Sequence, residues 1–128
     1  MADATESREL LSRNLQLRMT RKLTVAAATT IYAGQIVGID AFGEAVHATT
    51  TLKVAGIAVS DAVAGDVLTC WLGYVVKLPY SLAAVTDVGL TAYAVDSSLA
   101  TNASNTAILG PIIDWESGYI WVLLTLRA

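Results

Sequence analysis

The sequence predicts an all-β protein, a small β-barrel or β-sandwich of short strands behind a charged N-terminal arm. Three observations predict it. After residue 22 the chain is a succession of short runs rich in Val, Ile, Ala and Thr. Turn residues separate them at intervals of roughly 8–12 residues, the spacing of sandwiches and barrels. No stretch there carries a helical period, and no strand-helix-strand alternation is present. Charge is also segregated. Five basic residues (Arg8, Arg13, Arg18, Arg21, Lys22) and three acidic ones (Asp3, Glu6, Glu9) crowd into residues 1–22, whereas the rest of the chain carries three basic and eight acidic residues.

The division follows as residues 1–22, an arm, and residues 23–128, one β domain. In the arm, Asp3 with Glu6 resembles a helix-capping pair, with Asp in place of the usual Ser or Thr. Leu10, Leu11, Leu15 and Leu17 follow at loosely helical spacing, so a short helix over Ser7–Leu17 is one expectation. A helix of that length is marginal alone in water, and ordering against a partner is expected. The alternative is a solvated tail.

In the body, Leu23–Ala27 reads as the first strand. Tyr32-Ala33-Gly34 is a turn into Gln35–Asp40, and Ala41-Phe42-Gly43 reverses the chain into Glu44–Ala48. Leu52–Ser60 and Val67–Leu72 are strands joined by Ala64-Gly65-Asp66. Gly73 breaks the run before Tyr74–Leu78. Pro79 cannot donate to a ladder and marks a strand end or an edge. Ser81–Asp87 is a loop with room for a helical turn. Leu90–Val95 is a strand, Asp96-Ser97-Ser98 its turn, and residues 101–105 a loop. Ala107–Ile113 is a strand interrupted at Gly110-Pro111, Asp114–Gly118 is a hairpin tip, and Tyr119–Leu126 closes the domain. Side chains alternate along a strand, so Ile120, Val122, Leu124 and Leu126 face the core. Tyr119, Trp121, Leu123 and Thr125 face a second buried layer or another subunit. A small residue followed by Gly precedes three strands, at Gly34, Gly65 and Gly89, which turn preference explains without a true repeat.

Composition narrows the function. Charged residues are 15% and hydrophobic residues 55%, with mean hydropathy +0.57. No apolar run approaches the ~18 residues of a spanning helix, so no membrane is expected. Acidic and basic residues stand where a secretory leader would have its apolar region. Self-association or a larger assembly then accounts for the apolar excess. A net charge of −3 argues against direct nucleic-acid binding.

Chemistry finds little purchase. One Cys and one His allow neither an internal disulfide nor a Cys/His metal cluster, so no catalytic, cofactor or metal residues are expected. His47 has no carboxylate within two positions. Cys70, flanked by Leu68 and Leu72, reads as a buried thiol without adjacent positive charge. Asp40, Asp61, Asp66, Asp87, Asp96, Asp114 and Glu116 fall at turns, where Asp bonds its own backbone. The candidate contact residues are Arg8, Leu10, Leu11, Arg13, Leu15 and Arg18 in the arm. Trp115, Tyr119 and Trp121 are candidates for self-association or a partner, since an exposed Trp is costly and enriched in binding hot spots. The alternative for Trp115 is that it folds back on its own sheet.

Several segments together resemble a known family. Tyr32-Ala33-Gly34-Gln35-Ile36-Val37-Gly38-Ile39-Asp40, Val54-Ala55-Gly56-Ile57-Ala58, Ala64-Gly65-Asp66-Val67 and Gly73-Tyr74-Val75-Val76 belong to the set. Val88-Gly89-Leu90-Thr91-Ala92-Tyr93-Ala94-Val95-Asp96, Gly110-Pro111-Ile112-Ile113 and Ile120-Trp121-Val122 continue it. Over residues 25–126, in colinear order, the body resembles the capsid cement (head decoration) proteins of tailed phages and prophages. The resemblance implies a non-enzymatic β domain made in the host cytoplasm. It would bind the outer surface of an assembled head, with the major capsid protein as partner, and stabilise it by bridging capsid subunits, often as a homotrimer. The arm matches nothing in that family. Two other readings stay open. One is a different virion β module, such as a fibre base or tail-associated domain. The other is a small carbohydrate-binding domain with Trp71, Trp115 and Trp121 as its platform.

Overall fold

The computed structural model describes residues 19–73 and 75–125, and only the backbone of Met19. In chain order the strands are β1 (Met19–Thr24), β2 (Thr30–Ile31), β3 (Ile36–Ile39), β4 (Ala45–His47), β5 (Lys53–Ala58) and β6 (Ala62–Val63). They continue as β7 (Val67–Leu72), β8 (Val75–Pro79), β9 (Thr91–Ala94), β10 (Ala100–Thr101), β11 (Ile108–Glu116) and β12 (Tyr119–Leu123). Among the described residues a 3-10 turn at Val85–Asp87 is the one helical element. The protein is all-β, as its turn spacing predicts.

Two five-stranded antiparallel sheets make the body, in the orders β1-β7-β5-β3-β4 and β10-β9-β11-β12-β8, with a two-stranded ribbon β2-β6 beside them. The first sheet curls until its ends meet. Val25, just past β1, bridges Ala45 of β4, and Ala26 N donates to Ala45 O at 3.0 Å. One face of this curled sheet, with Val25, Val37, Ala45, Ala55, Leu68 and Cys70, closes around Ile31 and Ala62 from the ribbon. The other face, with Ile36, Val54 and Ile57, packs on Leu109, Ile112, Ile120, Val122 and Leu124 of the second sheet. Burial on both faces explains why β3 and β5 read as continuous apolar runs without polar alternation. The second sheet has one wet face, and β12 alternates as its sequence predicts: Ile120, Val122 and Leu124 are buried, whereas Tyr119 is exposed. Leu126 lies outside the described residues.

Backbone bonds tie the layers together. Ile36 N donates to Ser97 O at 2.8 Å, Gly73 N to Leu124 O at 2.9 Å and Thr106 N to Thr50 O at 3.1 Å. Gly34, Gly65 and Gly89 have φ of +87°, +87° and +95°, so the echo in the sequence is turn chemistry.

Several boundaries differ from the expectations. β1 begins at Met19 and not at Leu23, and Arg21 and Lys22 pair with Cys70 and Thr69. Charge there marked the edge of a sheet rather than the end of the arm. β11 is not interrupted at Gly110-Pro111. Register shifts on either side of these residues absorb the missing N–H of Pro111 and let the strand run on to Glu116. The β11–β12 tip therefore shrinks to Ser117-Gly118, and Asp114–Glu116 are strand residues. β8 ends at Pro79 on the edge of its sheet, where the missing donor costs nothing.

Candidate interaction surface

The aspartates of the body serve the backbone. Asp40 Oδ1 accepts from Phe42 N and Glu44 N, both at 2.9 Å. Asp66 Oδ2 accepts from Val63 N at 3.0 Å, and Asp96 Oδ1 from Ser98 N and Leu99 N. Asp61 Oδ1 reaches across to Ala33 N, tying two turns 28 residues apart. Asp114 Oδ1 accepts from Trp115 N at 2.8 Å. Asp87 is the buried member. Its Oδ2 accepts from Ala84 N at 2.8 Å and its Oδ1 from Asn102 Nδ2 at 2.7 Å, which pins the loop around the 3-10 turn.

His47 is half-buried in β4, with Nε2 2.8 Å from the Thr30 carbonyl; the donating tautomer there ties β4 to the ribbon. Cys70 is buried between Leu68 and Leu72. Burial pushes its thiol from 9.0 up to about 11, and the opposing pull of Arg21, its partner across the ladder, is the smaller effect. Positive charge is therefore closer to Cys70 than the sequence neighbours indicate, yet the thiol stays protonated near neutrality and is a poor nucleophile. Among the described residues no group of three or more His, Cys, Asp or Glu side chains could hold a metal ion.

The arm candidates Arg8, Leu10, Leu11, Arg13, Leu15 and Arg18 lie outside the described residues. The aromatic candidates are described, and the structure separates them. Tyr119 is registered with Glu116 and Pro79, and Trp121 with Asp114 and Lys77, which sets both rings on the outer face of the second sheet. Lys77 lies between them. Its Nζ is 4.5 Å from the Tyr119 ring centroid, 5.8 Å from that of Trp121 and 2.7 Å from Glu116 Oε1. Trp115 is registered with the buried Ile120, so it shares the inner side of the ladder, at its rim, and is 36% exposed. Trp71 belongs to β7 in the first sheet.

Two features go beyond the sequence signal. One is the place of the apolar excess on the surface, which composition announces without locating. Among the described residues fifteen large hydrophobic side chains are exposed, including Phe42, Val67, Leu82, Val85, Leu90 and Ile113, on a weakly charged body. The other is a groove of about 570 Å³ beside the β11–β12 turn, walled by Pro79, Tyr80, Val95, Leu99, Thr101 and Tyr119. It is assembled from three segments far apart in sequence, so no local pattern announces it.

The described residues thus combine an all-β body, aspartates bonded to backbone N–H groups, a buried thiol and exposed apolar side chains. The chain matches the phage cement proteins over residues 17–115 and belongs to that family. It is thus a structural, virion-associated cement protein of bacteriophage capsids. No curated protein and no solved structure matches it.

Proposed function

We propose that the protein binds the outer surface of an assembled phage head and stabilises it, without catalysis, by bridging copies of the major capsid protein. It does so as a homo-oligomer, a trimer by preference, without direct contact to nucleic acid. The observation that carries this reading is the exposed apolar surface of a small, weakly charged β body. Burying one large apolar side chain is worth roughly 1.5–3 kcal/mol, so a handful of them at a shell contact suffices for tight binding. The carbohydrate alternative would need Trp71, Trp115 and Trp121 on one platform, whereas they occupy different ladders or opposite sides of one.

Stabilisation follows by linkage. A ligand that binds the finished shell and not its disrupted form contributes RT ln(1 + [L]/Kd), about 2.7 kcal/mol per site at hundredfold saturation, repeated over the surface. In this reading residues before β1 form the arm that reaches a neighbouring subunit. Leu10, Leu11 and Leu15 would be its apolar anchors, with Arg8, Arg13 and Arg18 pairing to acidic shell groups.

The test compares full-length protein with a variant lacking residues 1–18, on purified heads stripped of the protein. Full-length protein is expected to bind and to raise the temperature at which the heads release DNA. The truncated body, whose β1 ladder is intact, should fold but bind more weakly. Exposed ion pairs contribute at most ~1 kcal/mol each and are screened, so added salt should weaken the full-length contact only in part. Failure of the full-length protein to bind heads would refute the cement mechanism. Equal binding by both forms would refute the role of the arm.

A further inference from the structure

We infer that the Phe42 hairpin of one copy docks into the groove between the β9–β10 and β11–β12 turns of a second copy, a head-to-tail contact that closes the oligomer into a ring. The inference rests on the proposed self-association and names the surfaces that carry it.

Phe42, the chain's single Phe, sits at the tip of the β3–β4 hairpin and is 87% exposed. The tip is rigid. Besides the two bonds to Asp40 Oδ1, Gly43 N donates to Asp40 O at 3.1 Å and Asp40 N to Glu44 O at 3.0 Å, with Gly43 at φ +77°. This is a three-residue hairpin loop closed by a left-handed Gly. A side chain presented on a preorganised turn loses little further entropy on docking.

The groove suits an apolar occupant. Its volume of about 570 Å³ lies in the range of small-ligand sites, and Val95, Leu99 and Tyr119 expose apolar surface at its mouth. Three of its backbone donors are already used: Tyr80 N donates to Gly118 O, Val95 N to Leu99 O and Leu99 N to Asp96 Oδ1. A flat ring seated against these residues leaves those bonds intact.

Within one molecule the two cannot meet. Ile36 is bonded to Ser97, in the turn that forms one wall of the groove. From there β3 runs away for about 13 Å to Asp40, at ~3.3 Å per residue, with Phe42 beyond. Knob and groove therefore lie at opposite ends of β3, and only another copy can join them. A contact between two different patches is heterologous, and such contacts generate closed rings when the rotation allows it.

Charge favours the same pairing. Lys53, exposed beside the hairpin opposite Ile39, makes no ion pair among the described residues. Asp96, next in sequence to the lining residue Val95, accepts its two turn bonds through Oδ1.

Sedimentation of the full chain tests this. Phe42→Ala removes the knob and Leu99→Glu blocks the groove, and both positions are exposed, so folding is checked by circular dichroism. Each variant should weaken self-association roughly thirtyfold or more, the scale of a hot-spot truncation. An equimolar mixture of the two retains one intact knob and one intact groove. It should form a one-to-one complex through that single contact, without ring closure, while neither variant associates alone. Wild-type association by Phe42→Ala, no complex in the mixture, or a wild-type chain monomeric at micromolar concentration would overturn the inference. Head binding, assayed in parallel, separates the two readings. Wild-type protein that self-associates but ignores heads refutes cementing and leaves this contact standing. Phe42→Ala protein that self-associates normally but loses heads assigns Phe42 to the shell and overturns the contact.

Discussion

Gly56→Ala should be among the most destabilising single-methyl additions in the protein. Gly56 lies in β5 at a register slip: Val37 pairs with Gly56 and Gly38 with Val54, leaving Ala55 as the extra residue. Its φ is +143°, outside the range that an L side chain favours. A Cβ there would stand 2.5 Å from Trp71 O and 3.2 Å from Cys70 Cβ. The first obstacle is a backbone atom of β7, which pairs with β5 through Ile57 and Ala58. It can yield only by spreading that ladder. Backbone strain of this kind costs about 1–3 kcal/mol, and overpacking a tight site about 1–3 kcal/mol more. The lower entropy of the unfolded Ala chain destabilises the unfolded state and returns about 0.4–1 kcal/mol. The expected loss is therefore about 1–6 kcal/mol. Gly34→Ala is the control, since Gly34 also has positive φ but nothing lies within 4 Å of its added Cβ. The assay is urea unfolding at one fixed protein concentration, with the slope checked for constancy so that the midpoint reports stability. The difference between the two variants isolates the clash from the strain. A Gly56→Ala loss no larger than that of Gly34→Ala would refute the claim that the β5–β7 approach is closed to a methyl group.

Burial of Cys70 makes stability depend on pH in the alkaline range. The folded thiol titrates near 11 against 9.0 unperturbed, so its contribution is fully present below 9 and is lost as pH rises toward 11. Cys70→Ala should flatten that part of the stability curve measured by urea unfolding between these pH values, and an unchanged slope would contradict the assignment. Asp87→Ala removes both acceptors that pin the loop of residues 84–102, at a cost of roughly 3–6 kcal/mol for two bonds to a buried carboxylate. Amide exchange at Ala84 should accelerate with it, and unchanged protection there would show that the loop is held by other contacts.

The sequence showed the fold class through its turns and the facing of β12 through its alternation, because both are local signals. The commitment of Asp40, Asp66 and Asp96 to their own turns was legible for the same reason. Three strands were not. β2, β6 and β10 are two residues long, too short to display a period, and they pair only because the chain brings them together. The start of β1 was obscured because Arg21 and Lys22 resemble the arm in charge. Their place is decided by the ladder to β7, 48 residues away for Arg21 and Cys70. The candidate surface was half legible. Tyr119 and Trp121 share the outer face that alternation assigns them, while Trp115 was misjudged as a tip residue because the register slip in β11 is invisible locally. The groove required three distant segments to converge.

The edges of the two sheets constrain how so apolar a molecule can associate. Exposed strand edges invite indiscriminate pairing, and proteins blunt them with short strands, Lys and Pro. Here β10 is two residues long, β4 is three residues long and bonded to the β1 segment through Val25 and Ala26, and β8 carries Lys77 and Pro79. Backbone pairing with a stray chain is thereby disfavoured, while side chains such as Phe42, Val67 and Leu82 remain open to solvent. What these edges leave open is contact between side chains, whose shape and spacing discriminate among partners far better than a bare strand edge does. This places the specificity of binding in loops and strand faces, which is where substitutions should alter partner choice without unfolding the body.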